Sequence, residues 1–502
     1  MKVFLVQLPN VTTETEVRYM QPYLAVGLGI LASVLRDDGH QVRLLDAYTE
    51  GWDNRARIEG DWIEIGLGEE EIAAQIRRFQ PQVVGFSLPF TSQMPRLRSL
   101  ARWVKAIHPE IYVVCGGNHP TCVPHEILTI PEVDAVVLGE GERSFSRLLQ
   151  ALEVDQSFDD LPGLAYRSKS SGVIVNPAEI INDLDALPSP AYDLLPLKSY
   201  FRAVGARKIP LFASRGCTQS CASCSQPLMY PGPVRRFSPD YLSRCLRHLV
   251  EFYGVREFIF EDDGLTSEVS EATRLFDCLI AENLRISWTT RGCLNPEALD
   301  SDLLAKMRLA GGKSLRFAVG SGSRRVLHQI LNKKMDLYIL EETLKRAQEN
   351  EFVVSCEFLL GSPGTTIEEV YETLKFAWKL RSKGVEKFSF LLSTPYVGTG
   401  LRQQALEMGL PVPPSNPDFL PHRNLVAAQD PIAMEIAQIR EVAQREFNSR
   451  GLVLELGRLV GVGAKSAPKV EERIFASVAP WPVLKVAQPP SREREAASRE
   501  PG

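Results

Sequence analysis

Ile111-Tyr-Val-Val-Cys-Gly-Gly117 is an unbroken apolar run that stops at two glycines. A strand with one wet face alternates apolar and polar residues, whereas a strand covered on both faces does not. The run therefore reads as a central strand of a parallel sheet, and its glycines open a loop at the carboxyl end. The pattern recurs outward in both directions. Residues 3–8, 41–46, 83–88 and 133–138 are apolar, β-branched runs, and helical spacing separates them at 23–35, 69–79 and 96–107. Gly39 is placed to stop the first of these helices. Alternating strands and helices give an α/β, doubly wound parallel sheet over residues 1–150. Ligands of such sheets bind outside the carboxyl ends of the strands. Here that places Ser87, Leu88, Gly116, Gly117, His119, Gly139 and Glu140 at the candidate binding edge.

Residues 151–205 read as a connector, punctuated by Leu161-Pro-Gly163, Leu187-Pro-Ser-Pro190 and Leu194-Leu-Pro196. Strand signals return at 257–261, 286–290, 315–319, 353–359 and 387–391, with amphipathic helices such as 240–253 and 337–350 between them. About six strand–helix pairs within residues 206–400 suit a partial (β/α) barrel. Residues 401–465 look helical, and the Pro-, Ser-, Glu- and Arg-rich stretch 466–502 reads as a disordered tail. A chain of 502 residues, 44% hydrophobic and 24% charged, has the make-up of a globular protein of two or three domains. Its 57 basic and 62 acidic residues give a net charge of −5, which argues against a nucleic-acid partner. The sequence has no export signal and no apolar run of about 18 residues, so the expectation is a cytoplasmic protein without a membrane span.

Three of the nine cysteines crowd into Cys217-Thr-Gln-Ser-Cys221-Ala-Ser-Cys224. In a chain with no export signal such crowding points to metal ligation rather than disulfides. A zinc site would call for four ligands, and no fourth Cys or His lies close by in sequence. Three thiolates on a 4Fe–4S cluster leave one iron open for chemistry. Three buried thiols near a strand end are the plainer alternative. Cys115, Cys122, Cys245, Cys278, Cys293 and Cys356 read as core or partly buried thiols. His108, His125, His248, His328 and His422 fall in no catalytic arrangement.

Ser214-Arg-Gly-Cys-Thr-Gln-Ser-Cys-Ala-Ser-Cys224 resembles the cluster loop of the radical S-adenosylmethionine (SAM) superfamily. The likeness continues through Tyr253-Gly-Val-Arg-Glu-Phe-Ile-Phe-Glu-Asp-Asp263, Trp288-Thr-Thr-Arg291, Leu360-Gly-Ser-Pro-Gly-Thr-Thr366 and Thr394-Pro-Tyr-Val-Gly-Thr399. In front of it, Gly116-Gly-Asn-His-Pro-Thr121, Leu138-Gly-Glu-Gly-Glu142 and Leu187-Pro-Ser-Pro-Ala-Tyr192 resemble the Rossmann-like cobalamin-binding domain of that superfamily's cobalamin-dependent branch. The resemblance covers about residues 1–400. It implies a cluster on Cys217, Cys221 and Cys224. It implies SAM contacts from Glu261, Asp262, Asp263, Arg291, Ser321, Gly361 and Pro363, and cobalamin at the binding edge named above. A carboxylate row suits the ammonium of SAM, and a guanidinium fork suits its carboxylate. A solvated acidic loop and an ordinary ion pair are the plainer readings of the same residues.

Two positions depart from the family pattern: Ser223 stands where an aromatic residue is usual, and Gly320 in Ala318-Val-Gly-Ser-Gly-Ser323 stands where a Glu is usual. The Asp-x-His-x-x-Gly pattern that gives cobalt a histidine is missing, since the first strand leads into Asn10-Val-Thr-Thr-Glu14. The resemblance implies a methyltransferase acting on an unactivated carbon or phosphorus of a small specialised metabolite. It also implies an electron donor such as a flavodoxin or ferredoxin. A cobalamin-dependent cyclase or rearrangement enzyme keeps the same cofactors. A cluster protein without SAM chemistry is the third reading, motivated by Ser223 and Gly320.

Overall fold

The computed structural model describes residues 1–448 apart from 15, 16, 18, 19, 59–61, 169–171, 293 and 413–430. The disordered-tail expectation, His422 and Cys293 lie outside the described residues. The amino-terminal sheet contains β1 (Lys2–Gln7), β2 (Gln41–Asp46), β3 (Val83–Ser87), β4 (Tyr112–Gly116), β5 (Ala135–Val137), β6 (Leu164–Ser168) and β7 (Gly172–Val175). Their order is β7-β6-β5-β4-β3-β1-β2. β1 to β5 pair in parallel, and β6 and β7 are added antiparallel at one edge. The parallel strands are buried on both faces: Phe4, Val6, Phe86 and Val113 pack with Leu97, Leu100 and Val104 of the helix Met94–Ile107, and Val3, Leu5, Val83 and Val114 on the opposite face are buried as well.

Two features differ from the sequence expectation. The connector is not merely a linker, since β6 and β7 lie within it and complete the first sheet. A small antiparallel sheet of Asn10–Thr13, Arg55–Arg57 and Trp62–Ile65 was not anticipated, because its strands are only three or four residues long.

The second sheet runs β8 (Lys208–Leu211), β9 (Glu257–Phe260), β10 (Ser287–Thr290), β11 (Gly312–Gly320), β12 (Val353–Leu360) and β13 (Lys387–Leu392), in that spatial order and all parallel. Among the described residues β8 and β13 are not paired, so the barrel is partial. Along β11, Leu315, Phe317 and Val319 are buried beneath the helices, while Ser314, Arg316 and Ala318 on the other face stay partly accessible. Arg316 pairs with Glu357 of β12 on that inner face. Trp288 of β10 stacks on Phe276 of the helix Val269–Glu282 at 5.2 Å and donates its indole N–H to Ala310 O at 3.0 Å.

Helix signals behave as their chemistry requires. Ser238 caps Pro239–Tyr253, with Pro239 in the first turn, and Thr366 with Glu369 closes a capping box on Ile367–Ser382. A helix at Pro431–Glu446 reaches the last strand of the barrel. There Gln444 accepts from Phe390 N at 2.8 Å, and Arg440 donates to Phe390 O at 3.0 Å. No described helix is long and apolar enough to cross a membrane.

Candidate active site

The loop after β8 carries Cys217, Cys221 and Cys224, all partly exposed and unbridged. Ala222 N donates to Leu331 O at 2.8 Å, Leu401 N to Ala222 O at 2.8 Å, and Asn332 Nδ2 to Ser220 O at 2.9 Å. Asn332 sits at φ +47°, a conformation that Asn tolerates better than most residues. The loop is thus held on two sides, by the segment after β11 and by the helix Gly400–Glu407. Gln219 N and Gln226 N each point at a sulfur, Cys217 Sγ and Cys224 Sγ respectively, at 3.4 Å. Burial pushes the Cys217 thiol up and the Cys224 thiol up to about 11, so with no metal bound both stay protonated at neutral pH. Among the described residues no three His, Cys, Asp or Glu side chains converge on one metal ion.

The acidic triplet divides by side. Glu261 meets Arg291 at 2.9 Å, and Asp263 lies close enough to Cys217 and Cys224 to act on both electrostatically. Burial raises the Glu261 carboxyl against the pull of Arg291 and Arg316, and burial plus Glu261 raises Asp263 to about 6. Asp262 is a correction to the expected SAM set. Its carboxylate is taken up elsewhere, accepting from Ala213 N at 2.9 Å and Ser214 Oγ at 2.6 Å. It is buried, and it anchors the start of the cysteine loop.

Ser321 is corrected likewise: buried, it bonds Thr373 Oγ1 at 2.8 Å and accepts from Ser323 N at 3.1 Å. Gly361, at φ +74°, is approached by Ile436, whose Cγ2 would lie 3.1 Å from an added Cβ, and Pro363 is buried in the same turn. The departure at Gly320 has a backbone cause. The residue lies at φ +90° where the β11–β12 register shifts, and few residues with a side chain adopt that angle. Lys333, which sequence reasoning missed, donates to Ala318 O and acts electrostatically on Cys217. Its one sequence signal was the cationic Leu331-Asn-Lys-Lys334 just after the barrel strand.

At the carboxyl ends of the first sheet, Leu88 N donates to Gly116 O at 2.8 Å and His119 N to Leu88 O at 3.2 Å. Gly117 sits at φ +110°, and an added Cβ would lie 3.2 Å from the Leu88 backbone. The edge forms a shelf in which Ser87, Gly116 and Gly117 are partly accessible and Leu88 and Gly139 are buried, with Phe90 exposed beside Ser87 and Leu88 in sequence. A glycine-lined edge with an exposed aromatic ring leaves room for a large macrocycle to approach the backbone. His119 does not present its ring there, being 3% exposed with Nδ1 3.0 Å from Thr91 Oγ1. The Glu140 carboxylate is also corrected, since it is committed to Arg215, Arg235 and Ile181 N.

The shelf and the cysteine loop touch. Asn118 Nδ2 donates to Ser225 Oγ at 3.1 Å, one residue beyond Cys224, and the helix Asn118–Cys122 packs on the helix Gln226–Met229. Gly398, in the loop after β13, lies against Cys122 and Leu228, so that loop reaches both of those helices.

Residues 19–149 match the family model described as B12 binding domain, and residues 211–377 match that described as Radical SAM superfamily. The chain is 31% identical over 388 residues to an uncharacterized methyltransferase of Pyrococcus horikoshii, across 77% of this chain and 79% of the relative. It is 28% identical over 467 residues to the cytidylyl-2-hydroxyethylphosphonate methyltransferase of Streptomyces wedmorensis, across 85% and 86%. In fold it is similar to the radical S-adenosylmethionine methyltransferase TsrM from Kitasatospora setae, solved with cobalamin and a 4Fe–4S cluster bound. That superposition has a TM-score of 0.65 at 17% identity, covering 82% of this chain and 79% of that one.

Proposed function

The chain belongs to the cobalamin-dependent radical SAM family, and from that premise we propose which of its residues serve each cofactor and what the site does. The chain is a radical SAM methyltransferase whose cofactors are a 4Fe–4S cluster, SAM and cobalamin. Bound together, these groups supply a methyl donor and a radical able to open an unactivated bond.

Cys217, Cys221 and Cys224 hold the cluster, and the N–H groups of Gln219 and Gln226 stabilise two of the thiolates. Glu261 and Asp263, on the side of Arg291 and the cysteines, would accept the ammonium of SAM. Arg291, which meets Glu261 at 2.9 Å, would hold the SAM carboxylate. Gly361 and Pro363 form the turn against which the nucleoside rests. Ser87, Gly116 and Gly117 would hold cobalamin through their backbone, with Leu88 and Gly139 supporting them from beneath. Asp262, Ser321, His119 and Glu140 act by holding loops in place.

One observation carries this reading: the Asn118–Ser225 bond at 3.1 Å joins the shelf to the cysteine loop, so a small substrate between them can meet both reactive groups. The substrate is a small specialised metabolite methylated on carbon or phosphorus, the electron is supplied by a flavodoxin or ferredoxin, and the work is cytoplasmic.

The test is anaerobic reconstitution with a low-potential reductant, first with SAM alone and then with cytidylyl-2-hydroxyethylphosphonate, the molecule named for the Streptomyces relative. Methyl transfer requires one S-adenosylhomocysteine and one 5′-deoxyadenosine for each methylated product. A new unmethylated product with 5′-deoxyadenosine alone would replace the reading with cyclisation or rearrangement. A loaded protein that cleaves no SAM would overturn it.

A further inference from the structure

Behind the cysteine loop lies a second contact between the two sheets, made wholly of buried charge. Arg215, two residues before Cys217, donates to Glu140 Oε1 at 2.7 Å and to Glu142 Oε1 at 2.6 Å. Arg235 donates to the other Glu140 oxygen and to Ile181 O, while Ile181 N donates to Glu140 at 3.0 Å. None of the four charged side chains is more than 9% exposed. Arg215 also stacks over Tyr230 at 5.9 Å. Burial alone would weaken the Arg215 cation, yet Glu142 and Glu140 hold its pKa above the ordinary value.

The placement is what makes this cluster informative. Glu140 and Glu142 follow Gly139, which belongs to the shelf, and Arg215 begins the loop that carries the cysteines. Buried charge of this kind adds little net stability over well-packed apolar groups, but it tolerates only one geometry and is costly when half of it is removed. A patch needed only as glue would be met as well by leucines. We propose that Glu142, Glu140, Arg215 and Arg235 are positioning residues that fix the cysteine loop against the cobalamin shelf, so that binding at the shelf is felt at the cysteine loop and methyl transfer stays coupled to SAM cleavage.

The proposal rests on the function given above, and its test is arranged so that the two fail separately. In the iron-free full chain, cobalamin alone is added and hydrogen–deuterium exchange is followed in peptides covering 213–217 and 139–142. Expected is slower exchange in both peptides, by tenfold or more, and in Glu142→Gln slowing confined to 139–142. If cobalamin does not bind, as read from its own absorbance, the functional reading fails. If it binds and 213–217 is unchanged in the unmodified chain, the clamp is only glue and the proposal falls; this measurement needs no variant to fold.

In fully loaded Glu142→Gln, 5′-deoxyadenosine should still form, with its ratio to methylated product raised about tenfold. Arg215→Lys, which keeps the charge but loses the fork, should be raised less. A ratio within twofold of the unmodified enzyme in both variants, with both cofactors bound, would also overturn the proposal.

Discussion

Asp262→Asn is an isosteric change whose effect on stability depends on pH in a way the structure fixes. The Asp262 carboxyl is raised to about 7, chiefly by burial, and the bonds from Ser214 and Ala213 only partly oppose this. Its second oxygen is buried without a partner. Against an unfolded value near 3.8, the difference of about three units corresponds to about 4 kcal/mol. The folded chain holds this proton more tightly than the unfolded chain. The contribution of Asp262 to stability is therefore greatest below about pH 4, falls as pH rises towards 7 and levels off above it.

Asparagine keeps the acceptor for Ala213 N and Ser214 Oγ and replaces the lone oxygen with a neutral group. At pH 3 the variant should match the parent, because the acid is then mostly protonated in both the folded and the unfolded chain. At pH 8 it should be more stable by about 1–4 kcal/mol, the lower figure allowing for a buried NH2 group left unpaired. Urea unfolding of the cofactor-free chain at the two pH values, followed by circular dichroism, measures the difference. A variant less stable than the parent at pH 8, or one with the same difference at both pH values, would refute this account of Asp262.

Two further outcomes follow from the geometry. Replacing Cys217, Cys221 or Cys224 with Ala should abolish the iron–sulfur absorbance and SAM cleavage, whereas Ala at Cys245 or Cys278 should leave both in place; iron analysis and product chromatography check this. Gly292→Ala would put a Cβ 1.7 Å from Asp262 O, so the loops after β9 and β10 must separate. The expected cost is about 1–3 kcal/mol, with weaker SAM binding by equilibrium dialysis, because Arg291 and Glu261 move with those loops.

Much of the architecture was legible because parallel strands advertise themselves. Gln41–Asp46 and the helix Glu69–Phe79 fall where the apolar spacing puts them, and the barrel strands lie within a few residues of their expected bounds. The hairpin Leu164–Ser168 and Gly172–Val175 escaped notice because its second strand is only half-buried and carries no core stripe. Within the site, residue types were readable but directions were not. Glu261, Asp262 and Asp263 look alike as letters, yet the pleat of the chain sends the middle one to the far side. The Arg215 contacts join residues 73 to 75 positions apart, and no local window links such partners.

The helix Pro431–Glu446 also has a role in solution behaviour. The last strand of a sheet is a template on which another chain can add, hydrogen bond by hydrogen bond, and this is a common start of aggregation. Gln444 and Arg440 occupy both the N–H and the C=O of Phe390, midway along that strand. A visiting strand would have to unseat the helix before it could pair through Phe390. Undocking of the helix and self-association of the protein are thus linked equilibria, and whatever holds Pro431–Glu446 down also helps keep the barrel edge closed to other chains.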